Sequence, residues 1–149
     1  MSHTAWMLQA ESDLEAAKLL TANNHHAQAV WFAGQAVEKA HKAILVALGL
    51  RYEEKHFKQL NHSTSEVAKL LPAALHDPVD AQIAVIVSTL EMRAMGSRYP
   101  SPKAGASVWT APVTAIGPSA QDVADAERLL TWCRERVARA INATAAMKP

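Results

Sequence analysis

The sequence predicts an all-α protein: an up-and-down helical bundle of four longer helices plus one short helix, with a long loop before the last helix. Half of the 149 residues are hydrophobic and about a fifth are charged, which is typical of a globular chain. Only five residues are glycine and seven are proline, so few positions interrupt helices. Apolar residues recur at steps of three and four, the spacing of a helical face that packs on a core.

The composition also limits the class of protein. We expect a single domain spanning residues 1–149, which is long enough to build one hydrophobic core. The formal net charge of +1 does not indicate the large basic surface of a duplex-DNA-binding protein. No apolar run reaches membrane-spanning length, and the acidic residues near the N-terminus do not fit a signal peptide. We therefore expect a cytoplasmic protein that does not contact a membrane.

Residues 26–48 show the strongest pattern and predict the second helix, around which the others pack. Its apolar stripe consists of Val30, Ala33, Val37, Ala40, Ile44 and Ala47. Gln35, Glu38 and Lys42 step along a different, polar stripe. Glu38 precedes Lys42 by four residues, the favourable order for a helical ion pair. Gly49 is expected just past the helix end.

A first amphipathic helix is predicted over residues 4–22, with Thr4 as its N-cap. Its apolar stripe consists of Trp6, Ala10, Leu14, Ala17 and Leu20. Residues 23–25 read Asn-Asn-His, which predicts a turn. Because this connection is short, we expect the first two helices to pack antiparallel.

In the middle of the chain, residues typical of helix caps and turns predict a short helix followed by a third long helix. After a polar connection over residues 49–62, Ser63 and Glu66 stand at capping-box spacing and predict a short helix that Pro72 ends. Asp77-Pro78 predicts the start of the third long helix, which Gly96 closes. Val85, Ile86 and Val87 are β-branched residues, so a strand is the local alternative, but the three- and four-residue spacing favours a helix.

The segment from Ser97 to Pro118 contains four prolines and predicts a long loop, which in a compact domain is usually functional or mobile. We expect Val108 and Trp109 to hold part of it against the bundle, and a short strand over 113–116 is a weak alternative. Ser119 begins the last helix, with Asp122 at capping-box spacing. The predicted inward residues of that helix, which runs to about Ala145, are Val123, Ala126, Leu130, Cys133, Val137, Ala140 and Ile141.

The string from Gln35 to Ala43, QAVEKAHKA, resembles the second-helix signature of the HEPN family of small all-α domains. The spacing of Trp6 and the apolar residues that follow it is similar to the first helix of that family, and His62 stands before the short helix as in family members. The resemblance implies a homodimer that binds a nucleotide or RNA. It also implies a minimal nucleotidyltransferase as partner protein, in a toxin-antitoxin pair.

Arg98-Tyr99-Pro100, directly after the third long helix, resembles the arginine-containing segment of HEPN proteins. In RNA-cleaving members a histidine follows this arginine by four to six residues, whereas here those positions are Pro102, Lys103 and Ala104. The resemblance therefore implies binding without catalysis, with Arg98 on a phosphate and Tyr99 stacking or donating a hydrogen bond. The alternative for this segment is structural: Arg98 caps helix carbonyls and Tyr99 fills an edge of the core.

Lys39, Lys42, Lys103 and His62 complete the predicted nucleotide- or RNA-binding residues. Lys39 and Lys42 belong to the family-like polar face, where one interpretation is a cationic wall for phosphates. The alternative for Lys42 is a surface ion pair with Glu38, which contributes little energy.

The alternative function is a metal-independent RNase toxin in which a displaced histidine, His62 or His56, serves as the base beside Arg98. A literal Arg-x4-His does occur at Arg51 and His56. It follows the second helix rather than the third, and so short a pattern arises by chance in a chain with seven histidines.

The remaining reactive residue types predict no metal site and no cofactor. His3 and the adjacent pair His25 and His26 have no carboxylate or cysteine at ligand spacing. The single Cys133 lies on an apolar stripe and is interpreted as a packed residue, and His41 as a surface or capping residue. The arginines of the last helix alternate with acidic residues and predict a solvated mixed-charge face: Arg128, Arg134, Arg136 and Arg139.

Overall fold

The computed structural model describes residues 2–49, 64–75, 77, 80–102 and 109–146. Within these residues the four longer helices are α1 (His3–Ala22), α2 (His26–Ala47), α4 (Asp80–Gly96) and α6 (Ala120–Ala146). Two short helices, α3 (Thr64–Lys69) and α5 (Pro112–Ala115), and a 3-10 turn (Ala73–Leu75) lie between them. The predicted all-α bundle with a long loop before its last helix is confirmed. No helix in the described ranges is long and apolar enough to cross a membrane.

Helix α2 is the central element of the bundle and packs against α1, α4 and α6. Its predicted apolar stripe is confirmed, since Val30, Val37 and Ile44 are buried. The predicted polar stripe is also largely covered, because Glu38 and Lys42 are both buried. A central helix in contact with neighbours on several sides has little surface left for solvent.

The apolar stripes of the other long helices form one core with α2. Their buried members include Ala10, Leu14, Ala17, Ile83, Val87, Leu90, Val123, Ala126, Leu130, Cys133, Val137 and Ala140. Ile141 is 41% exposed, so its predicted inward position is wrong. Helix α6 has 27 residues and α2 has 22, so the last turns of α6 have less of the bundle to pack against.

The ends of the helices differ from the predictions in several places. Helix α1 begins at His3 with Ser2 as its N-cap, so Thr4 lies inside the helix and is not the cap. The predicted turn between α1 and α2 is confirmed, with a positive φ of 62° at Asn24. The described part of α4 runs from Asp80 to Gly96, and Asp77, the proposed cap, pairs with arginines of α6. Pro78, Val79 and Ser63 lie outside the described residues.

The start of α6 is tied to the rest of the bundle by the two residues that were predicted to form a capping box. The Ser119 backbone N–H donates to His26 Nδ1 at 3.3 Å, and its hydroxyl lies 2.7 Å from the Thr21 hydroxyl. The Asp122 carboxylate accepts from Arg93 at 2.6 and 3.0 Å. The reciprocal capping bonds are therefore replaced by contacts to α1, α2 and α4.

The loop before α6 has a different structure from the one expected. Its short strands, β1 (Ser101–Pro102) and β2 (Trp109–Thr110), pair antiparallel. The weak strand predicted over 113–116 is wrong, because residues 113–115 belong to α5 and Ile116 is its C-cap. The first residue of α5 is Pro112, and proline favours helix initiation at this position. Trp109 is 66% exposed and does not hold the loop against the bundle, and Val108 lies outside the described residues.

Helices α2 and α4 approach closely at Gly34. A Cβ atom at Gly34 would lie 2.5 Å from the Cβ of Ala94, which no packed pair of carbons tolerates. Glycine therefore allows this crossing. The crossing also brings Trp31 and Arg98 together, because Trp31 lies one turn before Gly34 and Arg98 lies one turn after Ala94.

Candidate functional site

Arg98 lies at the surface, two residues past the C-terminal end of α4. Ser97 closes the last turn: its backbone N–H donates to the Arg93 carbonyl at 2.9 Å, and its hydroxyl donates to the Ala94 carbonyl at 2.7 Å. The side chain of Ser97, and not that of Arg98, thus caps a carbonyl of this turn. The side chain of Arg98 is exposed and has no hydrogen bond to a described carbonyl, so the alternative interpretation of Arg98 as a helix cap is wrong.

The Arg98 guanidinium stacks on two aromatic rings. Its central carbon lies 4.5 Å from the centroid of the Trp31 ring and 5.1 Å from that of Tyr99, which is within cation–π range. Tyr99 is 60% exposed, so the alternative in which it fills an edge of the core is also wrong. These contacts hold the guanidinium beside the two rings, and its five N–H groups lie in one plane, which suits paired hydrogen bonds.

Arg98 and Trp31 form part of the wall of a surface groove of about 380 Å³, named here the Arg98 groove. The described residues that line it are Ala27, Gln28, Trp31, Phe32, Ser97, Arg98, Pro112 and Val113. Its volume is within the range of about 300–1,000 Å³ that is usual for small-molecule sites. Helix α2, the end of α4 and helix α5 each contribute residues, so the groove depends on the packing of these three elements.

Arg98 differs from most other arginines in the described part of the chain by its lack of an acidic partner. Arg93 pairs with Asp122, Arg134 pairs with Glu11, and both Arg136 and Arg139 pair with Asp77. No described carboxylate lies within ion-pair distance of Arg98. Among the described residues, Arg98 is therefore an exposed cation without an acidic partner.

Lys39 and Lys42 are engaged within the protein. The Lys39 ammonium donates to Asp13, and the Lys42 ammonium donates to Glu38 at 2.5 Å and lies 5.6 Å from the centroid of the Trp6 ring. The predicted Glu38–Lys42 pair is confirmed, but it is buried and not on the surface: the side chains are only 5% and 10% exposed. Neither lysine lines the Arg98 groove.

Several predicted residues lie outside the described residues: Lys103, His62, Arg51 and His56. Among the described histidines, His26 bonds to Ser119, and none lines the Arg98 groove. In the described ranges no group of three or more histidine, cysteine, aspartate and glutamate side chains is placed to hold a metal ion.

His41 and Cys133 are buried side by side in the core. The Cys133 Sγ lies 3.5 Å from His41 Nδ1, and both residues have no exposed surface. Burial raises the pKa of the Cys133 thiol, which agrees with a packed residue and not a nucleophile. Burial lowers the pKa of His41 to about 4, and the interpretation of His41 as a surface residue is wrong. Its spacing indicated burial, because it follows Val37 by four residues.

Three of the four arginines of the last helix are exposed, as predicted for a mixed-charge face, and Arg136 is buried. Arg136 is 1% exposed and packs its guanidinium 4.2 Å from the centroid of the Trp132 ring. Its partner Asp77 also accepts a hydrogen bond from Arg139 at 3.1 Å. The hydrogen bond from Arg139 lowers the pKa of the Asp77 carboxyl. This cluster joins the segment before α4 to α6.

Trp31 and Gln28 are groove residues that the sequence interpretation did not assign. Trp31 precedes Gln35 by four residues and Glu38 by seven, so it begins the same helical stripe as the family-like polar residues. That spacing was a usable signal for Trp31. Pro112 and Val113 carried no such signal, because their approach to α2 depends on the path of the loop.

A family model described as the HEPN domain matches residues 3–137. The chain belongs to the HEPN domain family. This match covers α1 to most of α6, and therefore includes every described residue of the Arg98 groove.

Solved structures have the same fold as this HEPN chain. The crystal structure of TT1696 from Thermus thermophilus is 21% identical with a TM-score of 0.73, over 90% of this chain and 97% of that one. The crystal structure of ST0689, an archaeal HEPN homologue, is 23% identical with a TM-score of 0.66, over 92% and 98% of the two chains. The sequence has no significant match among curated proteins.

Proposed function

We propose that this HEPN protein binds a nucleotide or RNA without cleaving it, and that Arg98 holds a phosphate. The observation that carries the proposal is the exposed Arg98 guanidinium, stacked on Trp31 in a groove and unpaired with any described carboxylate. A guanidinium binds phosphate oxygens through paired hydrogen bonds.

The groove also offers groups suited to a nucleobase. Tyr99, which does not line the groove itself, exposes a ring next to Arg98, and bases stack on such rings with about 1–3 kcal/mol per base. Gln28 carries an exposed amide, which can both donate to and accept from a base edge. A phosphate contact beside a stacking ring and an amide fits an unpaired nucleotide better than a duplex, whose bases are stacked on each other.

The same groove argues against cleavage as the primary activity. General acid–base chemistry at neutral pH is usually carried by histidine, and no described histidine lines the groove. The sequence also lacks a histidine four to six residues after Arg98. Under the alternative, an RNase toxin, His62 or His56 would supply the missing base.

One experiment distinguishes binding from cleavage. Purified protein is incubated with structured and with unstructured RNA in the presence of a chelator, and Arg98→Ala is compared with the original chain. We expect intact RNA in both samples. Cleavage by the original chain that Arg98→Ala abolishes would replace the binding proposal with the RNase alternative.

Binding itself is measured by calorimetry with ATP, GTP and a short single-stranded RNA. Arg128→Ala is the matched control, because Arg128 is an exposed arginine of α6 that does not line the groove. We expect heat of binding for at least one ligand, a loss of about tenfold or more in affinity for Arg98→Ala, and no such loss for Arg128→Ala. No heat with any of the three ligands would contradict the proposal.

The proposal includes a homodimer. Val85, Met92 and Met95 are 65%, 71% and 51% exposed on α4, and apolar side chains grouped on one helix are typical of an association surface. Light scattering at micromolar concentration should give twice the mass of the chain. A monomeric mass would contradict this part of the proposal.

The proposed partner protein is a minimal nucleotidyltransferase in the cytoplasm, as family resemblance implies. Its test is co-elution of this chain with a nucleotidyltransferase encoded by a neighbouring gene. Separate elution of the two proteins would contradict the partnership and would leave the proposed role of Arg98 to its own test.

A further inference from the structure

A second cavity, of about 390 Å³, lies between α2, α3, α4 and α6. None of its described lining residues belongs to the Arg98 groove. Its wall is mainly apolar and includes Ala68, Leu71, Ile83, Val87 and Trp132. Binding sites for small molecules usually combine an apolar wall of this size with a few placed polar groups.

His41 supplies such a polar group. It lines the cavity and is fully buried. Its Nδ1 lies 2.9 Å from the carbonyl oxygen of Val37 on the same helix. A carbonyl only accepts hydrogen bonds, so Nδ1 carries the hydrogen, and Nε2 at the opposite edge of the ring presents a lone pair.

The lone pair of His41 Nε2 has no hydrogen-bond partner in the described structure. A buried acceptor without a donor costs about 1–3 kcal/mol in desolvation, and such groups in native proteins call for an explanation by a ligand, an ion or a function. Because the imidazole is buried, its pKa is lowered to about 4 and the ring is neutral at pH 7. An anion therefore gains no charge partner at Nε2, whereas an uncharged donor gains a hydrogen bond.

The geometry points to a ligand site: we propose that this cavity binds a small, uncharged, largely apolar molecule whose single hydroxyl or N–H group donates to His41 Nε2. His41 is the fully buried polar residue of the lining, so the polar end of the proposed ligand lies at the buried side of the cavity. The apolar body then packs against Leu71, Ile83 and Val87. This site is independent of the Arg98 groove and of the function proposed for it.

The probes are phenol and toluene, which share a ring and differ in the hydroxyl donor. Their affinities for the full chain are measured by calorimetry, and the ratio of the two is compared between the original chain and His41→Leu. Comparing ratios removes the different cost of taking each probe out of water. We expect the preference for phenol to fall by about tenfold in His41→Leu, which corresponds to the loss of one hydrogen bond to a buried acceptor.

A second pair of variants tests the place of binding without altering the core. Ala84 is an exposed residue of α4 that lines the cavity, and Ala81 is an exposed residue one turn earlier that does not. We expect Ala84→Trp to abolish phenol binding by filling the mouth of the cavity, and both Ala81→Trp and Arg98→Ala to retain it.

Three results would overturn the proposal. The first is no phenol binding by the original chain at millimolar concentration. The second is unchanged phenol binding in Ala84→Trp. The third is an unchanged ratio of phenol to toluene affinity in a folded His41→Leu.

Discussion

Two cationic regions beside α2 differ in burial and in whether their charges have acidic partners. On one region Lys39 and Lys42 donate to Asp13 and Glu38, and the Glu38–Lys42 pair is almost completely buried. On the other region Arg98 stacks on Trp31, stays exposed and has no described acidic partner. The sequence presents all three as candidate phosphate ligands. The structure separates the two lysines, which pair with acidic residues of the bundle, from Arg98, for which we propose a ligand.

This difference follows from where each residue lies relative to the centre of the bundle. A charge in the buried middle of α2 is stable only beside an opposite charge, because burial removes its hydration. A charge just past the end of α4 keeps its hydration and needs no partner. We therefore expect changes in the first region to alter stability and changes in the second to alter ligand binding.

The largest effect is expected from breaking the buried pair. Lys42→Met removes the ammonium that Glu38 faces at 2.5 Å, and loss of one member of a buried pair typically costs about 3–5 kcal/mol. Chemical denaturation should show this loss in the free energy of unfolding. The double variant Glu38→Gln with Lys42→Met should recover part of it. A loss below about 1 kcal/mol in the single variant would show that the pair behaves as a surface pair.

A change of pH tests the buried side of the comparison in a different way. The folded state keeps His41 neutral down to a pKa of about 4, whereas an unfolded histidine takes up a proton near pH 6.5. The free energy of unfolding should therefore fall as the pH drops from about 6.5 to about 4, by about 3 kcal/mol in total. The measurement is denaturation over this range for the original chain and for His41→Leu. Equal slopes against pH in the two proteins would contradict the burial of a neutral imidazole.

Gly34 links the two regions, since it lies between Trp31 and Glu38 on α2. Gly34→Ala places a Cβ 2.5 Å from that of Ala94 and should lower the free energy of unfolding by about 1–3 kcal/mol through overpacking. It should also weaken ligand binding at the Arg98 groove, because α4 must move away from α2. Gly96→Ala is the control, since nothing lies within 4 Å of a Cβ there. Similar melting temperatures for the two variants would refute the close crossing.

The smallest effect on stability is expected at Arg98 itself. Arg98→Ala removes an exposed cation–π contact, worth about 0.5–1 kcal/mol, and breaks no ion pair to a described residue. Its free energy of unfolding should stay within about 1 kcal/mol of the original. If Arg98→Ala lowered the free energy of unfolding as much as Lys42→Met does, Arg98 would be a structural charge like Lys42. The proposed difference between the two regions would then be wrong.

The fold was predictable because it depends on repeated local signals. The stripes through Val37 on α2, Leu14 on α1 and Leu130 on α6 each repeat over several turns, and every repeat adds to the same prediction. The turn at Asn24 was equally local. Helix α5 and the strands of the loop were missed because two- to four-residue elements carry too few repeats to be recognised.

The candidate site was predictable only in part. Arg98 was identified because Arg98-Tyr99-Pro100, directly after a long helix, resembles the arginine-containing segment of HEPN proteins. Trp31 has a spacing that indicated the polar stripe of α2. Burial of His41, Lys42 and Arg136 was not predicted, because a polar residue is assigned to the surface unless its partners are known. For Arg136 that partner is Asp77, which lies far away in sequence, and only the packed bundle brings the two residues together.

The most direct test of the account is the salt dependence of RNA affinity for three proteins: the original chain, Arg98→Ala and Arg128→Ala. Each phosphate contact on a single strand adds about 0.7 to the slope of the logarithm of affinity against the logarithm of salt concentration. The account predicts that Arg98→Ala binds more weakly and loses one such increment, while Arg128→Ala keeps both the affinity and the slope. Identical slopes and affinities for the original chain and Arg98→Ala would contradict the claim that this guanidinium holds a phosphate.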